Sequence, residues 1–291
     1  MLKYFHQQLN WLEHWAQQRA QRHNIHYWLH HGRLPWERGY VEYKEQQIEQ
    51  VLADAVTMDT FTRNAVLPEH FGERLDERIV EFPWMIAKLA QTGPNLLDAG
   101  STVNHSYILR QPVFQNKHLT IITLAPEADN YWQQGISYLY GDLRSNPLRD
   151  GSVDVITCIS TLEHIGMDNT MYSSNAFHKE SNHEAYRQVI QEFKRILKPG
   201  GSLLLTIPYG VYENCGFQQV FDRAMIQQVI ATFGGTIVEQ RFYKYALAGW
   251  QLADQTDCDH CRYFNIHATK QFDSDYAAAA RAVACLHLIR S

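Results

Sequence analysis

No uninterrupted apolar run in the 291 residues approaches the roughly 20 that span a bilayer. The start, Met1-Leu2-Lys3-Tyr4-Phe5-His6-Gln7-Gln8, lacks the apolar centre of a secretory signal. Neither membrane insertion nor export is expected, and the reading is a soluble cytoplasmic protein. Basic charge is not in excess: 26 Lys and Arg stand against 31 Asp and Glu, a formal charge of -5, so the overall balance points to no nucleic-acid or membrane partner. The five cysteines (Cys158, Cys215, Cys258, Cys261, Cys285) are odd in number and scattered, which excludes a disulfide framework as the organising principle and favours reduced thiols. There is no internal repeat, and no Gly-x-Gly-x-x-Gly fingerprint, which argues against a nicotinamide-dependent oxidoreductase.

What is present is a chain 45% hydrophobic, enough at this length for one large domain or a core domain with an appended segment. Phe5, Leu9, Leu12, Ala16 and Ala20 recur at helical spacing and predict an amphipathic helix from Leu2 to about Arg22. A turn at His31 to Pro35 leads to a second helical run near Val41 to Val56, and Pro68 to Gly72 breaks the pattern again. Residues 1–75 therefore form a helical N-terminal extension. Trp11, Trp15, Trp28 and Trp36 in it suit core or interface packing, or a lid over a site.

The pattern changes at Asn95-Leu96-Leu97-Asp98-Ala99-Gly100, a short apolar strand ending in an acid and a glycine. Leu119 to Leu124, Val153 to Ser160 and Ser202 to Pro208 read as further buried strands with helical segments between them, which predicts βαβ units and a parallel sheet. Tyr186, Val189, Ile190, Phe193, Ile196 and Leu197 mark one face of a helix that Lys198-Pro199-Gly200-Gly201 ends. A helix near Asp222 to Phe233 and a strand near Thr236 to Phe242 follow. The alanine-rich segment from Ser274 to Ile289 reads as a final helix capped by Asp273 or Ser274. The expected fold class is α/β: a doubly wound, mostly parallel sheet over 76–245, with a loop and helix over 246–291 packed on it.

In such a sheet ligands bind at the carboxyl ends of the strands. The segments to inspect are Asp98 to Asn104, Thr123 to Glu127, Tyr140 to Leu143 and Ile159 to His164. The order Leu-Leu-Asp-Ala-Gly, Gly-Asp-Leu, Pro-Leu-Arg-Asp-Gly-Ser-Val-Asp-Val-Ile, Leu-Glu-His-Ile and Phe-Lys-Arg-Ile-Leu-Lys-Pro-Gly-Gly-Ser-Leu-Leu-Leu-Thr-Ile-Pro resembles the class I methyltransferases, in particular methyltransferase domain 11, over about Asn95 to Phe242. The resemblance implies S-adenosylmethionine as cofactor. It places Asp98 and Gly100 along the methionine end, Asp142 on the adenine amino group, Leu143 against the ring and Ser160 near the sulfonium, with Ser101 of the first loop also in the cofactor site.

Two positions depart from the family. The first loop reads Gly100-Ser101-Thr102 where Gly-x-Gly is usual, and the second strand ends at Thr123 where an acid usually grips the ribose, with Glu127 a turn later as its substitute. His164 is the first choice for a general base, ahead of His178 and His183. Some relatives hold a divalent ion through Glu-x-x-Glu-His, but Ser160 stands where the first Glu would be. His178, Glu180, His183 and Glu184 also suit the polar start of a helix, so no metal is expected. Cys258-Asp259-His260-Cys261 has the spacing of half a zinc site, which His260 or His267 could extend, but ordinary thiols are favoured because no second Cys-x-x-Cys exists. Tyr209, Gly210 and Tyr212 follow the fifth strand, where relatives border the acceptor; the aromatics suit stacking on a sugar or ring and packing beneath a loop equally. The implied activity is methyl transfer to a small-molecule or carbohydrate-like acceptor. The alternative is a non-catalytic binding or scaffold protein, and assembly with a second copy is left open.

Overall fold

The computed structural model describes residues 2–291, with side chains from residue 15 onward except that of residue 267. Four helices come first: α1 (Leu2–His30), α2 (Tyr40–Ala53), α3 (Ala55–Arg63) and α4 (Arg78–Leu89). The predicted run over 41–56 is divided at Asp54, whose carboxylate accepts the Val56 and Thr57 amides at 3.2 Å each and so caps α3. On α1 the expected apolar face is not packed where it is described: Ala16 and Ala20 are exposed, while Phe5, Leu9, Leu12 and Trp11 lie outside the described side chains. Among the described residues no helix is long and apolar enough to cross a membrane.

The sheet is built from β1 (Asn95–Ala99), β2 (His118–Thr123), β3 (Ser137–Tyr140), β4 (Val153–Ile159) and β5 (Leu197–Pro208). After a small separate hairpin of β6 (Glu213–Asn214) and β7 (Gln219–Val220), it is completed by β8 (Thr236–Ala246), β9 (Gly249–Ala253) and β10 (Ala282–Ile289). Strand order is β3-β2-β1-β4-β5-β10-β8-β9. The first five strands are parallel, and β10 runs antiparallel to both neighbours. The order reverses between β1 and β4, which opens a crevice at their carboxyl ends.

Side chains alternate through the sheet into two cores. Leu96, Ile121, Val155 and Leu204 pack with Phe82, Trp84 and Met85 of α4 and with Tyr40, Ile48 and Phe61 of α2 and α3. Leu97, Ile156, Leu203 and Leu205 pack with α7 (Tyr186–Ile196) and α8 (Arg223–Phe233). The α7 stripe is the one predicted, and each of its large side chains contributes roughly 1.5–3 kcal/mol on burial. Helices do not fill every connection. The β1–β2 link holds only the one-turn α5 (Ser106–Leu109) and a 3-10 turn, and between β2 and β3 there is one 3-10 turn at Trp132–Gln134. That face is covered instead by α2, α3 and α4 from the N-terminal segment.

The predicted C-terminal helix is a strand. Val283 and Cys285 of β10 enter one core, while Ala282, Ala284, Leu286 and Leu288 enter the other, a period of two that only a strand between two covered faces satisfies. The alanines before it lie buried in irregular chain, where the Trp36 indole donates to the Ala278 carbonyl at 2.7 Å. Helix propensity loses here because β10 satisfies the open edges of both β5 and β8. The remaining short helices are α6 (Thr170–Ser173), in the β4–β5 connection ahead of α7, and α9 (Gln255–Cys258) and α10 (Ile266–Thr269), ahead of β10.

Candidate active site

The loop after β1 is held from below. Asp98 is fully buried; its carboxylate accepts the Val103 amide at 3.1 Å and the Thr157 hydroxyl at 2.8 Å. Burial pushes its pKa up to about 6 against those two hydrogen bonds. Gly100 has φ +103, and a Cβ on it would lie 2.2 Å from Thr161 Oγ1, so both backbone and space require glycine. Ser101, where a side chain is strained, sits at φ +64 and donates to Glu127 at 2.9 Å. Thr102 turns its hydroxyl onto the Ile159 carbonyl at 2.9 Å, tying this loop to the end of β4.

Glu127 is reached from three sides. Besides Ser101, Asn104 donates to it at 2.9 Å and Thr123 at 3.3 Å, so the acid absent from the end of β2 is supplied beside it. Asp142 follows β3 and is gripped by the Arg144 guanidinium, which also forms 2.6 Å hydrogen bonds to both Glu180 oxygens. Burial would raise the Asp142 pKa, but the Arg144 hydrogen bonds outweigh it and hold the group below the usual carboxylate range. A Cβ on neighbouring Gly141 would meet nothing within 4 Å, so the chain there borders open space.

At the end of β4, Ser160 has φ +40 and donates to the buried Glu81 of α4 at 2.5 Å, while Thr206 of β5 donates to the same oxygen at 2.7 Å. The other Glu81 oxygen takes Arg78 Nη1. Glu163 is buried with Oε2 unpartnered among the described residues, and burial holds its pKa far above the usual range. His164 Nδ1 lies 2.8 Å from the Phe217 carbonyl, which can only accept; the proton is therefore on Nδ1 and Nε2 keeps a lone pair. Burial lowers the His164 pKa to about 4 against that hydrogen bond, so the ring is neutral.

These segments enclose a cavity of about 430 Å³, within the range of small-molecule sites. Of the residues predicted from sequence, Gly100, Glu127, Asp142, Leu143, Ser160 and His164 line it. Asp98 and Ser101 stand behind the lining and fix the loop. Arg78, His105, Asn169 and Tyr172 also line it and were not predicted. Arg78 opens α4, ahead of the first strand, and no strand-end rule points there; Asn169 and Tyr172 follow His164 closely enough for proximity to have suggested them.

Several other expectations fall elsewhere. Tyr209 is buried with its hydroxyl on Asp259 and Trp28 is in the core, the packing readings of both rather than the acceptor or lid ones, and neither lines the cavity. All five cysteines are free thiols. The neighbouring Cys258 thiol lowers the Cys261 pKa from the usual thiol range. Among the described residues no three His, Cys, Asp or Glu side chains are grouped as metal ligands; His267 lies outside the described side chains.

No curated protein matches the chain significantly. Among solved structures, a Burkholderia thailandensis 1,6-didemethyltoxoflavin-N1-methyltransferase is 11% identical with a TM-score of 0.45, over 87% of this chain and 89% of that one. The N-methyltransferase NodS of Bradyrhizobium japonicum is 13% identical with a TM-score of 0.42, over 85% and 98% respectively. A SAM dependent methyltransferase of Aquifex aeolicus is also 13% identical at 0.42, over 72% and 90%. These values describe similarity of chain path alone. Residues 97–205, which run from β1 into β5, match the family described as "Methyltransferase domain".

Proposed function

We propose that the protein transfers a methyl group from S-adenosylmethionine to a small-molecule or carbohydrate-like acceptor. One observation carries the reading: Gly100, Glu127, Asp142, Leu143, Ser160 and His164, on four separate strand ends, line a single cavity at the switch point of the sheet. The residues present fit the cofactor. Glu127 offers carboxylate oxygens to ribose hydroxyls, Asp142 keeps acceptor capacity outside the Arg144 fork, Leu143 supplies an apolar wall and Gly141 leaves room beside it.

When bound, S-adenosylmethionine supplies a methyl group already activated on sulfonium, which leaves the cavity the work of positioning and electrostatics. His164 presents its Nε2 lone pair to the hydrogen of an incoming N–H or O–H and orients that nucleophile. With its pKa at about 4 it is a hydrogen-bond acceptor rather than a strong base at neutral pH. Leu143, Ile165 and Ile122 keep part of the wall apolar and limit water.

Thr102 and Thr123, which stand where the family usually has a glycine and an acid, favour the second reading, a non-catalytic binding protein. Calorimetric titration with S-adenosylhomocysteine tests the first. Saturation below millimolar ligand is expected, and no heat at millimolar ligand would sink it. Saturation without methyl transfer to any of a panel of amines, phenols and sugars would favour the second.

A further inference from the structure

We propose that Cys258 and Cys261 are a peroxide-sensitive dithiol, a site of reversible oxidation whose disulfide tightens the loop that follows β5. Neither residue lines the cavity, and the inference does not depend on the cofactor reading. Cys258 ends α9, and the chain turns at once: the Cys261 amide donates to the Cys258 carbonyl at 2.9 Å. A turn closed in this way holds its end Cα atoms within about 7 Å, the span that a disulfide can bridge. Both residues are free thiols, Cys258 fully buried and Cys261 7% exposed. Thr256, Asp257, His260 and Arg262 around them are exposed, so the sulfurs lie under a surface turn that a small oxidant reaches by local opening.

The five thiols are not equivalent. The neighbouring Cys258 thiol, helped by Lys244 and Arg281, lowers the Cys261 pKa against burial, while Cys258 itself is raised by Cys261. Burial raises Cys158 and Cys285 well above the usual range and Cys215 to about 11. Thiolate is the reactive form, so Cys261 is the attacking sulfur and Cys258, still carrying its proton, the resolving one. Cys261 attacks hydrogen peroxide: an S–O bond forms, the O–O bond breaks, and the departing hydroxide takes up the proton that Cys261 had lost. Cys258 then attacks the resulting sulfenic acid. The S–S bond forms, the S–O bond breaks, and the Cys258 proton leaves with the hydroxyl as water. The two thiols give up two electrons, and one peroxide is reduced to two waters.

Closing this ring acts on the loop after β5. The Cys261 carbonyl accepts the Val211 amide at 2.9 Å, and a Cβ on Gly210 would lie 2.1 Å from the same oxygen, so the two segments are in close contact. Asp259, inside the ring, accepts the Tyr209 hydroxyl and pairs with Arg223 at the start of α8. The loop runs on to the hairpin whose Phe217 carbonyl holds His164.

To test this, the full-length protein is treated with hydrogen peroxide, alkylated with iodoacetamide, digested without reductant and read by mass spectrometry. The peptide carrying 258–261 is expected to become two hydrogens lighter and free of alkyl label at a rate at least about tenfold that of Cys215 oxidation, and to take up label again after dithiothreitol. Hydrogen exchange at Val211 is expected to slow several-fold in the oxidised protein and to recover on reduction. Cys258→Ser should leave a Cys261 sulfenic acid that dimedone traps, and Cys261→Ser should leave Cys258 unreacted. Should either variant not fold, the wild-type measurements decide alone. Thiols at 258 and 261 that stay open to alkylation, oxidation there no faster than at Cys215, or a disulfide that leaves Val211 exchange unchanged overturns the inference.

Discussion

The carboxylate of Glu81, on a helix outside the matched family segment, receives the hydroxyl of Ser160 at the end of β4 at 2.5 Å. Through Thr206 it also holds β5, and through Arg78 it reaches the cavity. The N-terminal helices are therefore part of the wall of the site rather than an accessory to it.

Removing that carboxylate leaves Arg78 without its counter-ion and two strand-end hydroxyls without their acceptor. Glu81→Ala is expected to cost about 3–5 kcal/mol, the scale for breaking a buried ion pair from one side. Glu81→Gln, which keeps an acceptor oxygen, should cost less. Urea denaturation of the two variants measures this, and equal loss in both would contradict it.

The two glycines bordering the cofactor space should respond oppositely. Gly100→Ala meets Thr161 and a left-handed backbone, so a destabilisation of about 1–3 kcal/mol is expected. Gly141→Ala meets open space and should leave the melting temperature nearly unchanged while weakening S-adenosylhomocysteine binding. A stable Gly100→Ala protein, or a Gly141→Ala protein with unaltered affinity, would count against this account of the cavity.

Glu127→Gln tests the ribose contact. The carboxylate lies at the surface, so the fold should hold, while affinity for S-adenosylhomocysteine falls by about tenfold as a hydrogen bond to a charged acceptor is weakened. Binding isotherms at one ionic strength decide it.

Acid sensitivity should trace to His164. An unfolded histidine titrates near 6.5, whereas the folded one is held down at about 4 by burial. The unfolded chain therefore binds the proton more readily in between. The contribution, up to about 3 kcal/mol, is complete above about pH 6.5 and is lost as the pH falls toward 4. Asp98 acts in the opposite sense. Its folded pKa of about 6 exceeds the unfolded value near 3.9, so its contribution declines as the pH rises through that window. His164→Asn, whose amide can still donate to the Phe217 carbonyl, should become more stable relative to wild type as the pH drops from about 7 to 4.5. Urea midpoints that fall in parallel for both proteins would rule the histidine out.

Leu286→Ala in β10 should cost about 2–5 kcal/mol, as for a fully buried leucine. A loss under 1 kcal/mol in a urea titration would show that the strand is not part of the cooperative core.

Legibility in the sequence followed locality. The β1 and β4 strands, the α7 stripe and the acids at 98 and 142 declare themselves within a few neighbours, because periodicity and turn residues are local signals. Glu127 could be named for the same reason, lying one turn beyond the missing acid. Arg78 could not: its place in the cavity depends on α4 packing across the ends of β4 and β5, a relation between segments about eighty and more residues apart. The alanines at 277–280 misled in the other direction, since their helix propensity is intrinsic while the slot between β5 and β8 exists only in the assembled sheet. The short, nearly continuous apolar run Val283-Ala284-Cys285-Leu286-His287-Leu288, as in a strand covered on both faces, was the available signal.

The position of β10 also constrains how the molecule can assemble. During synthesis β8 and β9 are made before the strand that must separate them from β5, so the sheet cannot grow outward in chain order. Until β10 enters, β5 presents an unpaired edge, and a premature β5–β8 pairing would occupy the slot. Nascent chains that contain β5 but not yet β10 are thus expected to be the aggregation-prone stage of biogenesis.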